Sequence, residues 1–155
     1  MEAMFQILMA LGGTLAFSVL FGAAPRHYLK CGIVGAIGWS IYLLVKSLVA
    51  SEMISILIAS AFLTALSRWL SVWQKAPTII FLVTGIFPLV PGAAIFYTAY
   101  YLFLGNQALA LAYGLAAMKT SIAIALGIGF SYSVPAKYYG WKRNPEIWNE
   151  HNHRL

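Results

Sequence analysis

The chain has 155 residues, 61% of them hydrophobic and only 9% charged, whereas soluble domains carry roughly 25% charged residues. That balance excludes a water-soluble globular protein and implies an all-α integral membrane protein forming one transmembrane domain, residues 1–155. The net charge of +6 does not mark a nucleic-acid partner, because the basic residues lie in short loops and a tail between apolar runs, where they read as topology signals. A single cysteine, Cys31, excludes an internal disulfide and a cysteine-built metal cluster.

With about 20 apolar residues needed per crossing, five spans are predicted, at about 4–23, 31–50, 53–70, 78–104 and 108–134, followed by a basic tail at about 135–155. The last two spans are long, so they are expected to be tilted or interrupted. No Lys or Arg precedes Arg26, so the basic region of a cleaved signal peptide is missing and the first span is expected to be retained. Arg26, Lys30, Arg68, Lys75, Lys137, Lys142, Arg143 and Arg154 then fall on one face of the membrane, and only Lys46 falls near the other. The positive-inside rule places the N-terminus outside and the C-terminus in the cytoplasm. Trp69, Trp73, Tyr138, Tyr139 and Trp141 fit interfacial belts. Gly32, Gly35 and Gly38 recur every third residue of the second span, roughly on one face, with Trp39 beside them. They read as a close-packing surface, as do Gly114, Gly127 and Gly129 in the last span.

The fourth span is the unusual one. It contains Phe87-Pro88-Leu89-Val90-Pro91-Gly92. Pro88 has no N–H for the carbonyl of Thr84, and Pro91 has none for that of Phe87. Each proline also pushes its predecessor, Phe87 or Val90, toward extended backbone. Gly92 allows a turn or a close approach. Two half-helices are expected, about 78–87 and 92–104, with a non-helical link near mid-membrane. Such a link survives only if it is buried in protein or lines a wet cavity. Broken helices at this depth form substrate sites in many transporters. The N–H groups of Gly92, Ala93 and Ala94 would point into the break as an anion-attracting helix N-terminus. The plainer alternative is a proline kink that serves packing.

Lys119 is the sharpest single residue. It lies near the middle of the last span, where a lysine costs roughly 3 kcal/mol and usually faces a bundle interior or a wet cavity. The acids Glu2, Glu52, Glu146 and Glu150 lie in termini or a loop, so none is expected to meet it. Its partner is then a carboxylate on another chain, a bound anion, or carbonyls such as those of Thr84 or Gly85; deprotonation is the remaining escape. Tyr97, Thr98, Thr120 and Ser121 could hydrogen-bond a polar ligand or simply their own helix. Lys46 and Arg68, near span ends, are expected to snorkel. His27, His151 and His153 lie outside the spans, and no metal site or cofactor is expected from them. Acid/base sets, nucleophile triads and phosphate loops are lacking, so an enzyme is not expected.

The run Ile86-Phe87-Pro88-Leu89-Val90-Pro91-Gly92, followed by Tyr97-Thr98-Ala99, resembles the broken-helix signature of the threonine/serine exporter family, in its small, stand-alone form like the C-terminal half. The runs Ala24-Pro25-Arg26 and Lys30-Cys31, then Gly35, Gly38 and Trp39, and the ending Ser133-Val134-Pro135, resemble it more loosely. The resemblance implies a multi-pass protein of the bacterial inner membrane, one of two five-span halves of an exporter. The implied partner is a large five-span subunit; a homo-oligomer stays open. The implied substrates are small molecules bearing a carboxylate: threonine, serine or, in one two-subunit branch, succinate. Pro88, Pro91 and Gly92 carry the signature. With Ala93, Ala94, Thr98 and Lys119 they make the expected substrate-binding set. The alternative is a non-catalytic subunit that stabilises or gates a larger transporter.

Overall fold

A computed structural model describes residues 2–49 and 51–135, and all regular structure among them is helical. The helices are α1 (Glu2–Leu20), α2 (Tyr28–Val49), α3 (Glu52–Gln74), α4 (Thr78–Ile86), α5 (Gly92–Phe103) and α6 (Gln107–Ser133), with 3₁₀ turns at Pro25–His27 and Phe87–Leu89. Their ends are set by local chemistry. Gly22, at φ 65°, closes α1 in the left-handed region, and the Ala23 N–H reaches back to the Ser18 carbonyl. Pro25 then opens the next turn, where no N–H is needed. α3 ends on Lys75, also left-handed at φ 49°, with Pro77 beyond. The Asn106 side chain accepts a hydrogen bond from the Leu109 N–H at 3.2 Å and starts α6.

Glu2–Leu20, Pro25–Val49, Glu52–Gln74 and Gln107–Ser133 are each long and apolar enough to cross a bilayer. Thr78–Leu89 and Gly92–Phe103 make a fifth crossing if the pair, bent by 53°, is one span. The expected interruption is therefore present, between α4 and α5. The last span runs unbroken through α6.

The core lies between α2, α3 and α4, around Val34, Leu63 and Phe81. α1 packs on α2, α6 packs on α3, and α5 packs chiefly on α6. Without a hydrophobic drive between helices in lipid, close approach and satisfied polar groups hold such a bundle. Both features are present. Buried Thr14, Thr64 and Thr84 each donate to the carbonyl four residues back, at 2.7 Å. Small residues line the contacts. A Cβ on Gly35 would come within 2.8 Å of the Thr14 Cβ, and one on Gly32 within 2.9 Å of the Leu15 Cγ. Gly38 instead faces Leu63. The three glycines thus serve two neighbours, α1 and α3, because a step of three residues rotates the face by about 60° each time.

Three local expectations are corrected. Gly129 is not a packing residue: a Cβ there meets nothing within 4 Å, whereas one on Gly127 would lie 2.6 Å from the Leu57 carbonyl oxygen. Arg68 does not snorkel freely. Its guanidinium donates to the Ser131 carbonyl and lies 5.0 Å from the Tyr132 ring, so it ties α3 to α6. His27 does not lie outside the spans: it is in the first turn of the Pro25–Val49 stretch, buried, edge-on to Phe81, and accepts a hydrogen bond from the Arg26 Nε at 3.1 Å. Trp69 and Trp73 are exposed and stacked on each other, as an interfacial pair would be. The expected tail, with Lys137, Tyr138, Tyr139, Trp141, Lys142, Arg143, Glu146, Glu150, His151, His153 and Arg154, lies outside the described residues.

Candidate functional site

The break is compact. Pro88 sits inside the 3₁₀ turn rather than after an extended residue: Phe87 has φ −54° and ψ −41°. The first turn of a 3₁₀ segment tolerates a proline because its N–H would have no partner there. Only Val90 adopts the extended backbone expected before a proline, at φ −65° and ψ 133°. The Val90 N–H serves the Phe87 carbonyl, at 3.1 Å, which Pro91 cannot. Pro91, at φ −77° and ψ 53°, then makes an inverse γ-turn, and the Gly92 N–H bonds the Val90 carbonyl at 2.8 Å. The Phe87 ring packs on Phe17, and Leu89 is buried, so the link is anchored to the bundle on one side. Its other side is open.

That open side forms one wall of a cavity of about 790 Å³. The volume falls within the range of about 300–1,000 Å³ typical of small-molecule sites. Pro88, Leu89, Val90, Pro91, Gly92, Ala93 and Ala94 make the wall from the break; Ala112, Ala116, Lys119 and Thr120 face it from α6. Trp39 and Tyr42 of α2 and Glu52, Met53 and Ile56 of α3 complete it. Residues far apart in sequence meet here because the 53° bend swings α5 away from the bundle and onto α6.

Six of the seven sequence-selected residues line this cavity: Pro88, Pro91, Gly92, Ala93, Ala94 and Lys119. Thr98 does not. Its hydroxyl donates to the Ala94 carbonyl at 2.7 Å, and its methyl lies 3.4 Å from where a Gly114 Cβ would stand, so it serves the α5–α6 contact. Tyr97 likewise stacks on Tyr101 and packs at a tilt against Tyr113. The anion-facing N–H set is smaller than expected, because the γ-turn occupies that of Gly92. The N–H groups of Ala93 and Ala94 have no acceptor among the described residues. Gly92 itself is not in the left-handed region, and a Cβ there meets nothing within 4 Å. The turn does not require glycine; the open space beside it is what glycine preserves.

Lys119 is exposed to the cavity, and no carboxylate among the described residues is in ion-pair contact with it. Thr84 and Gly85, considered as carbonyl partners, are buried in α4 and do not line the cavity. The sequence reading missed Glu52. It is not a remote loop residue but the first residue of α3, on the same cavity. A signal existed: Ser51-Glu52 directly before an apolar run is a helix start, with the acid in the first turn. Trp39 adds an indole N–H that is buried and unpaired, with its ring 4.9 Å from that of Tyr42.

The arrangement can hold a small anion. Lys119 and the two N–H groups without an acceptor belong to residues that line the same half-open cavity, and the described residues assemble no proton-transfer pair suited to bond cleavage there. Compared with known proteins, residues 6–134 match the family model described as "Threonine/Serine exporter, ThrE". No curated protein and no solved structure matches.

Proposed function

This chain belongs to the threonine/serine exporter family, and on that premise we propose that it is one subunit of a secondary exporter for small carboxylate-bearing metabolites, with its substrate site in the cavity at the broken helix. The observation that carries the reading is the convergence of Lys119 and the first turn of α5 on one cavity. A substrate carboxylate would accept from the Ala93 and Ala94 N–H groups, where a helix N-terminus carries about half a positive charge. Lys119 would supply the second, full charge. Threonine and serine are the substrates the family description favours; succinate is the dicarboxylate alternative.

Transport would proceed by alternating access, with α5 moving about the break while α6 stays docked on α3. Two features support that division. The γ-turn and 3₁₀ turn form a short hinge, and α5 packs chiefly on α6, which is itself fixed to α3 at Gly127 and by Arg68. No residue of α5 is buried, which leaves its outer face for a partner. The proposed partner is a large five-span subunit of the same family, inverted relative to this chain, in the bacterial inner membrane. The chain would begin outside and end in the cytoplasm, as the basic residues indicate.

The test is efflux from preloaded cells, with this chain present or deleted and the large subunit in place, using labelled threonine, serine and succinate. Deletion is expected to slow loss of at least one of them. The wild-type chain restores it, and Gly92→Val does not, because the added side chain enters the cavity rather than straining the backbone. Unchanged efflux of all three despite normal expression would contradict the proposal.

The exposed Lys119 favours one other reading. If it pairs with a carboxylate of the partner, the chain is a stabilising or gating subunit. An acid-to-neutral change in the partner that rescues Lys119→Ala would support that role.

A further inference from the structure

Among the described residues the cavity holds one carboxylate, that of Glu52. Resting on the site proposed above, we infer that Glu52 is a specificity-determining residue: its carboxylate receives the ammonium group of an amino-acid zwitterion and repels the second carboxylate of a dicarboxylate.

The argument is one of charge placement. Lys119 and the Ala93 and Ala94 N–H groups form the positive part of the cavity, contributed by α6 and α5. Glu52 forms the negative part, contributed by α3. A zwitterion finds a partner for each of its charges. A dianion finds one partner and one like charge in a site partly screened from water, where such repulsion is strong. The neighbouring cation offsets Glu52 only at a distance. Lys46 lies within electrostatic reach of it, but its ammonium donates to the Tyr42 hydroxyl at 3.0 Å and sits over that ring, without ion-pair contact to Glu52. Glu52 is exposed to the cavity rather than buried beneath it. Trp39 adds an aromatic wall on the same cavity, a surface that also suits a cation.

An acid in the first turn of a helix also stabilises that helix through its dipole. The test must therefore read selectivity rather than amount. Efflux of labelled threonine and of labelled succinate is measured in cells carrying the whole exporter, for wild type, Glu52→Gln, Glu52→Lys and Glu52→Asp. The threonine-to-succinate ratio is expected to fall about tenfold in Glu52→Gln and further in Glu52→Lys, and to hold in Glu52→Asp. A purely helix-stabilising role lowers both fluxes together and leaves the ratio unchanged; that result overturns the inference. Lys119→Ala and Gly92→Val separate the two levels. If they reduce efflux while the Glu52 variants keep the wild-type ratio, the inference alone fails. If neither changes any flux that depends on the chain, the cavity is not the pathway and both fail.

Discussion

Lys119→Ala is expected to cut chain-dependent efflux by about ten- to a hundredfold without lowering the amount of protein in the membrane. The magnitude follows from losing a charged hydrogen-bonding partner, about 1.5–3 kcal/mol. The unchanged amount follows from the position. Lys119 lies near the middle of α6, and a lysine at the centre of a spanning helix costs roughly 3 kcal/mol to insert. Removing it relieves that cost, so Lys119→Met is expected to accumulate at least as well as wild type while exporting poorly. Loss of function with gain of stability marks a site residue rather than a packing residue. Lys119→Arg keeps the charge and is expected to retain part of the efflux. Quantitative immunoblotting of membranes beside the efflux assay checks both halves of the expectation.

Gly127→Ala is expected to do the reverse, damaging the fold first. A Cβ at Gly127 would stand 2.6 Å from the Leu57 carbonyl oxygen and 2.9 Å from the Ala61 nitrogen, besides meeting the Ser60 hydroxyl. Backbone atoms of α3 cannot swing aside as a flexible side chain can. The two helices must separate, and overpacking of this kind costs about 1–3 kcal/mol. The displacement does not stay local. α6 carries Lys119 and supports α5, so both positive elements of the cavity move with it, away from Glu52 on α3. The control lies two residues away. Gly129→Ala meets open space and is expected to leave the melting temperature of the detergent-solubilised protein unchanged or slightly raised, while Gly127→Ala lowers it by several degrees.

That pair of glycines shows where sequence reasoning stops. Gly127 and Gly129 look alike in an alanine-rich apolar helix, since each is small and each favours close approach. Which one meets α3 depends on how α6 is rotated, and a span that is apolar on all sides carries no periodic signal to fix the rotation. The interruption between α4 and α5 was legible because proline chemistry is local: Pro88 and Pro91 remove specific N–H donors wherever they sit. The details of the interruption were not. Phe87 stays helical because the chain tightens into a 3₁₀ turn around Pro88, a choice settled by packing of Phe87 and Leu89 on the bundle.

The site was legible in the same uneven way. Lys119 stood out because its cost in lipid is independent of its neighbours. Glu52 did not, because an acid beside a loop is cheap in any topology. Only the placement of α3 against the break makes it part of the cavity. Thr98 was drawn in by sequence proximity to Gly92, but six residues along a helix is nearly two turns, and its hydroxyl is already used by its own helix. Arg68 looked like a span-end snorkeller until α6 brought the Ser131 carbonyl within its reach.

The central claim is that a carboxylate-bearing substrate occupies the cavity at the first turn of α5. Cys31 is the only cysteine in the chain and is fully buried, so a cysteine introduced at Ala93 is a unique reporter on the cavity wall. The measurement is the rate at which a small maleimide alkylates Ala93→Cys in native membranes containing the whole exporter, with and without saturating threonine. The account predicts that threonine slows alkylation severalfold and that the protection disappears when Lys119→Ala is added. Equal rates with and without threonine, serine and succinate, in membranes whose efflux of those substrates depends on this chain, would contradict it.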